Sequence, residues 1–443
     1  MKKTTKITAL TMATILAMGS MTACGGDKEE TKTPATDNGS AQATSADPQK
    51  MTLKVMAPQE EQTDYTKVDE KYTGKAGLLS YMCEQFNEAH PEWDITFEYL
   101  VCSEADADKQ LSKDATKGGD VFMYAGNQVA TLASNQIALP LAGDGLQDVI
   151  ANNGEKAISA VTIKGKTYGI PFTPNTWFMY YDKSKYSEEE VQSLTTMMNK
   201  DIKGCDYNFS MDLDNGWYNG GFFYAAGCTV FGEDGTKEDE CNFNNENGLG
   251  AAKAMLALAK NKKFLCDDDS GAAIAAMEKG KCAALCSGTW NAQKIQEILG
   301  DNYAATKLPT VDINGTETQL NSIGDYKYIG VNATTANPQA AQALACWLGG
   351  QECQLDRFKA RQISPTWKAL TSEESVAADV ATTALALQNQ YTAVTPVSQK
   401  FNDNYWNAMA ALGGGMVSGK ITEKNLQDQL DKAVQNIVTS VSE

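Results

Sequence analysis

From residue 51 onward the spacing of apolar positions alternates between two periods. Residues 51–57 (MTLKVMA) put Met51, Leu53 and Val55 on one side at a spacing of two, which predicts a strand. Residues 76–89 put Leu78, Leu79, Met82 and Phe86 on one stripe at helical spacing, and His90-Pro91 stops that helix. Residues 95–101 (ITFEYLV) alternate again. A polar helix is predicted near 104–117, and Gly118-Gly119-Asp120 opens a continuous apolar strand over 121–125. Strand, helix, strand, helix, strand is the order of a mostly parallel sheet flanked by helices, an α/β architecture. The second half repeats it. Helices are predicted over 248–260, 272–279, 338–349 and 423–441, and a strand over 281–287.

The region before residue 51 has another character. Lys2, Lys3 and Lys6 precede the uncharged stretch 7–21, too short to span a bilayer comfortably and of the right length for a secretory signal over 1–23. Met21-Thr22-Ala23-Cys24 resembles a bacterial lipobox, with Met21 where Leu is usual. This implies that Cys24 is lipidated and anchors the chain to the outer face of the membrane. Residues 24–50 are then read as a lipidated cysteine and a disordered tether, because 25–50 hold no large hydrophobe with which to offset ordering entropy.

The 393 residues from 51 to 443 exceed one ordinary core and predict two domains. The formal charge is −18. Loss of the three signal lysines leaves 35 basic against 56 acidic residues, or −21. Such a surface disfavours nucleic acid. The single histidine, His90, leaves triads and multi-histidine zinc sites without support. The eleven cysteines form no CxxC pair, and spacing assigns no disulfide. No metal and no cofactor are expected.

Four stretches resemble the extracellular solute-binding proteins of bacterial ABC sugar importers, nearest the maltose and maltodextrin branch. They are 119–125 (GDVFMYA) with 139–141 (LPL); 164–172 (KGKTYGIPF) with 180–183 (YYDK); 275–290 (AAMEKGKCAALCSGTW); and 330–332 (GVN) with Asn337-Pro338. The resemblance implies a two-lobe periplasmic-binding-protein-like fold with crossing hinge strands near 172–175 and 322–325 and a third crossing around 365–375. One lobe would be 51–174 plus 325–370, the other 175–324 plus 371–443. It further implies a non-enzymatic, monomeric receptor that delivers an oligosaccharide to permease subunits.

A sugar needs aromatic platforms for its C–H faces and carboxylates or amides for its hydroxyls. The resemblance and the strand-end positions nominate Glu60, Glu61, Tyr124, Asn127, Gln128 and Asn175 on the first lobe. On the second they nominate Asn215, Trp217, Tyr218, Trp290 and Trp406. Phe222, Phe223 and Trp347 read as core, and Arg361 as a surface or cleft residue. A surface glycoside-active enzyme and a sugar sensor or adhesin remain alternative readings: among 56 acids a catalytic carboxylate pair is always possible, although no motif marks one.

Overall fold

The computed structural model describes residues 47–267 and 271–439, and residues 47 onward form one compact unit. The signal, Cys24 and most of the tether fall outside the described residues. Where the tether prediction overlaps the structure it ends early. Strand Gln49–Ala57 pairs in parallel with Trp93–Val101 from Gln49 opposite Trp93, so residues 49 and 50 are ordered by sheet hydrogen bonds.

The predicted periods become real elements. Helix Gly77–Ala89 buries Leu78, Leu79, Met82, Cys83 and Phe86 along one stripe. Strand Val121–Ala125 is buried at every position, as its unbroken apolar run requires. The long polar helix expected over 104–117 is broken into helical turns at Glu104–Asp106 and Ala115–Lys117 around Ala107–Lys113, because the Ser103 and Asp114 side chains accept backbone N–H bonds and start new turns.

Two sheets organise the molecule. In the first, Gln49–Ala57 lies between Trp93–Val101 and Val121–Ala125, all parallel, and Ser322–Val331 joins antiparallel to Val121–Ala125. In the second, Phe209–Met211, Phe264–Cys266 and Ala284–Ser287 are parallel, while Phe178–Asp182 and Tyr303–Thr306 add antiparallel strands at one side. Each sheet has its own cores. Leu53, Phe86, Val121, Phe172, Ile329, Leu344 and Trp367 share one. Trp177, Phe209, Phe222, Leu256, Leu320, Tyr405 and Leu430 share another. Leu370 packs in the first sheet's core and Ala381 beside the second sheet, so the chain changes sides between them.

Ser322–Val331 links the two halves. Its start pairs in parallel with Thr392–Val394, its middle antiparallel with Ile170–Asn175, and its end with Val121–Ala125. The register with Ile170–Asn175 shifts between Lys327 and Tyr328, where Phe172 is the extra residue on the partner strand.

The first lobe is locked by a buried charge cluster. Glu61 has no exposed surface and meets Arg357 Nε at 3.0 and 2.9 Å and Arg361 Nη1. The Arg357 guanidinium lies 4.8 Å from the Phe172 ring centroid and also donates to the Leu348 carbonyl. Burial alone would raise the Glu61 carboxyl, but the two guanidinium groups hold it below its ordinary value. Glu61 is therefore committed to the fold, and Arg361, read as surface or cleft, is buried with it. Glu61→Gln should cost about 3–5 kcal/mol in urea unfolding at pH 7, since it strands two buried cations. The wild-type contribution is complete above pH 4.5 and fades as the pH falls below it, because the folded-state pKa is the lower one.

Candidate functional site

The strand ends of the second sheet and their following turns build a recess. Phe209–Met211 ends at Asp212, and Ala284–Ser287 ends at Gly288 before the turn Thr289–Asn291. Helix Gly216–Ala225 is started by Asn215, whose Oδ1 accepts the Trp217 N–H at 2.9 Å. Together these elements enclose about 130 Å³ lined by Ser210, Asp212, Tyr218, Asp267, Ser287, Trp290 and Asn291. Gly288 is required there. A Cβ at that position would lie 1.9 Å from the Trp290 ring, so the tryptophan folds back over its own glycine.

The first lobe reaches the same tryptophan. Lys327 Nζ sits 5.8 Å from the Trp290 ring centroid and 3.2 Å from Glu104 Oε1. Farther along the line between the two halves, Asn127 Nδ2 donates to Asn402 Oδ1 at 3.3 Å, and Asn402 Nδ2 donates to the Asn127 carbonyl at 2.5 Å. Thr131 Oγ1 donates to Gln399 Oε1 at 2.6 Å. Asn402 and Trp406 stand four apart on helix Gln399–Val417 and hence on one face. Trp406 packs 6.0 Å from Trp217 and 5.0 Å from Tyr405, half-buried.

Asp325 ties these parts together. Its Oδ1 accepts Asn175 Nδ2 at 2.6 Å, and its Oδ2 accepts the Asn127 backbone N–H at 2.8 Å. Burial raises its carboxyl to about 7, against the two donors and the nearby Lys327, which oppose that rise.

The nominated residues thus separate. Tyr218 and Trp290 share the recess. Asn127 and Asn175 share Asp325 on the hinge line. Trp217 and Trp406 pack on each other beside the second core. Glu60 is exposed in the turn after the first strand. Three nominations are corrected besides the structural use of Asn215 as a cap. Glu61 belongs to the buried charge cluster. Tyr124 is fully buried, stacks 5.6 Å from Tyr328 and donates to the Tyr168 carbonyl at 3.2 Å, so it offers no face to a ligand. Gln128 is spent on the Glu104 carbonyl at 2.7 Å and the Asp108 N–H at 3.1 Å.

Ser210, Asp212, Asp267, Asn291, Lys327 and Asn402 were not nominated. Asp212, at a strand end just before an aromatic-rich helix, carried a readable signal; so did Asp325, an acid inside an otherwise uncharged strand start (SIGD). A groove of about 1020 Å³ lies elsewhere, between helices Asp144–Asn152 and Pro338–Leu348, but none of the nominated residues lines it. Among the described residues Asp212, Asp214 and Cys266 hold three potential metal-ligand atoms within 4.8 Å. Burial pushes the Cys266 thiol up to about 12, and it donates to Asp214 at 3.3 Å, which makes it a poor ligand at neutral pH. All ten cysteines of the described residues are free thiols.

Residues 81–384 match the family described as bacterial extracellular solute-binding protein. The galactooligosaccharide-binding protein of Bacillus subtilis (strain 168) is 25% identical over 73% of this chain and 77% of its own. A solved structure with acarbose is 33% identical, with TM-score 0.80 over 88% of this chain and 98% of that one. The ligand-free maltodextrin binding protein MalE1 from L. casei BL23 is 24% identical, with TM-score 0.74 over 88% of this chain and 100% of that one.

Two outcomes follow from this geometry. Gly288→Ala should displace the Trp290 ring, detected as a change in tryptophan fluorescence with little change in far-UV circular dichroism. The unfolded chain releases the Asp325 proton near 3.8 and the folded chain near 7, so the folded state holds more protons between them and stability falls as pH rises through that window. Thermal midpoints from pH 4 to 8 should show this decline, and Asp325→Asn should flatten it.

Proposed function

The chain belongs to the family of bacterial extracellular solute-binding proteins, and from that premise we propose that it captures an oligosaccharide between its two lobes and delivers it to the permease of an ABC importer. It is a binding protein of the extracytoplasmic space and not an enzyme, as its relatives are. A maltodextrin is the first-choice ligand, and a galacto-oligosaccharide the second, on the strength of the relative that binds one. The observation that carries the reading is Trp290. It stands at the edge of a polar recess on one lobe with Lys327 of the other lobe facing its ring. An aromatic face bordered by carboxylates, hydroxyls and amides is the surface a sugar ring requires. Trp217 and Trp406 would extend the stacking surface along the lobe boundary for further units.

In this proposal the lobes are 51–174 with 325–370 and 175–324 with 371–443, hinged on the Ile170–Asn175 and Ser322–Val331 strands. Closure buries the sugar and presents a joint surface to the permease, a population shift driven by ligand contacts made to both walls. Cys24 carries the lipid anchor, and the protein acts as a monomer. The likeness to binding proteins over most of the chain supports these readings against a glycoside-active enzyme.

Calorimetric titration with maltotriose, longer maltodextrins and galactosyl-lactose tests the proposal. Sub-micromolar binding is expected, since about −0.3 kcal/mol per heavy atom carries a trisaccharide to about −10 kcal/mol. Trp290→Ala should weaken it at least about tenfold by removing the stacking face. Release of free sugar from these oligosaccharides on incubation would instead favour the enzymatic reading.

A further inference from the structure

The boundary between the two halves is bridged by side chains that carry no charge. Asn127 and Asn402 exchange two hydrogen bonds, at 3.3 and 2.5 Å, and Thr131 Oγ1 donates to Gln399 Oε1 at 2.6 Å. Elsewhere on the boundary Gln362 Nε2 donates to Gln296 Oε1 at 2.7 Å. Asn127 follows strand Val121–Ala125 and Gln362 ends helix Gln351–Arg361, both packed in the first half. Asn402 and Gln296 lie on helices Gln399–Val417 and Ala292–Leu299, which pack on the cores of the second half. Every ion pair among the described residues, by contrast, joins partners on one side of the boundary. Gln362 also has an unusual backbone. Its φ is 56°, the left-handed conformation that glycine usually supplies at a helix end. A long side chain kept at a strained position points to a use for that side chain.

We propose, resting on the two-lobe receptor reading above, that these pairs form a neutral clasp that sets how readily the lobes close, with Asn402, Gln399, Gln296 and Gln362 acting on affinity as positioning residues. One part of the clasp stands beside each of two stacking tryptophans. Gln296 lies on the helix that follows the Trp290 turn, and Asn402 shares a helix face with Trp406. Opening about the hinge strands parts both. The bonds are made between protein groups, so they add the same increment to closure whatever lies in the cleft. Apparent affinity scales with the closed fraction, so the clasp multiplies the affinity for every sugar alike. Amide and hydroxyl pairs suit this task in a chain of net charge −18, because they join the halves without desolvating an ion pair.

The test combines small-angle X-ray scattering with calorimetric titration of the purified protein. Without sugar, the double variant Asn402→Ala/Gln399→Ala should show a larger radius of gyration than the parent; saturated with sugar, the two should agree. Its affinity for maltotriose and maltotetraose should fall about tenfold, by the same factor for both. If galactosyl-lactose is the sugar bound, it and its tetrasaccharide homologue take their place. The factor should be unchanged between low salt and about 0.5 M NaCl, since no ion pair is lost. Gln362→Gly removes a clasping side chain and its strained backbone together. Its thermal midpoint should hold or rise while affinity falls about threefold, whereas a purely structural role would lower the midpoint. Gln296→Ala, at an exposed position, supplies the scattering and titration readouts if the double variant folds poorly, as checked by circular dichroism. An unchanged radius in the sugar-free variant, or losses of affinity that differ between the sugars, would overturn the clasp and leave the oligosaccharide reading standing. Silence toward every sugar would overturn that reading, and the sugar-free radius would still decide the clasp.

Discussion

The strand Ser322–Val331 is the member that the two halves share. It pairs with Thr392–Val394, Ile170–Asn175 and Val121–Ala125 in turn, so the geometry of either half is transmitted to the other through one ladder. At its centre a buried carboxylate, Asp325, accepts from the Asn175 side chain and from the Asn127 backbone. Asn127 in turn bonds Asn402 across the boundary. The hinge is therefore polar as well as narrow. A purely apolar hinge would slide. A buried acid with two fixed donors gives the crossing a defined register, because breaking either bond leaves a desolvated oxygen without a partner.

The acids of this chain serve three purposes, set by their surroundings. Glu61 is neutralised by two arginines and holds the turn after the first strand against helix Gln351–Arg361. Asp325 is desolvated with little compensating charge and keeps its proton to an unusually high pH. Asp212 and Asp267 line the small recess at the strand ends of the second sheet. The same functional group is structural, hinge-forming or recess-lining according to what surrounds it, a distinction that the net charge of −18 does not carry.

The aromatic residues divide similarly. Tyr124 and Phe222 are core because their strand or helix buries them on all sides. Trp290 remains half-buried because Gly288 leaves its ring room to fold over the backbone at the end of a strand. Trp217 and Trp406 cover one another at the edge of the second core. Position at a strand end, more than residue type, decides which aromatic face stays available.

Periodicity alone placed strands such as Val121–Ala125 and helices such as Gly77–Ala89, which are local consequences of spacing and stop signals, but it read the three short helical pieces over 104–117 as one helix. The motif order marked the family, and the GTW tripeptide marked Trp290. Pairings over long separations were not legible. Nothing near Glu61 announces Arg357 and Arg361, some 300 residues away, and their meeting turns a nominated ligand residue into a buried ion pair. Tyr124 and Gln128 looked cleft-facing for the same reason, being at a strand end whose cover comes from distant segments. The recess is assembled from Ser210, Asp267 and Trp290, which only the second sheet brings together. Local spacing thus determines which elements form. Burial and charge compensation, sums over groups far apart in the chain, are decided only when the sheets close.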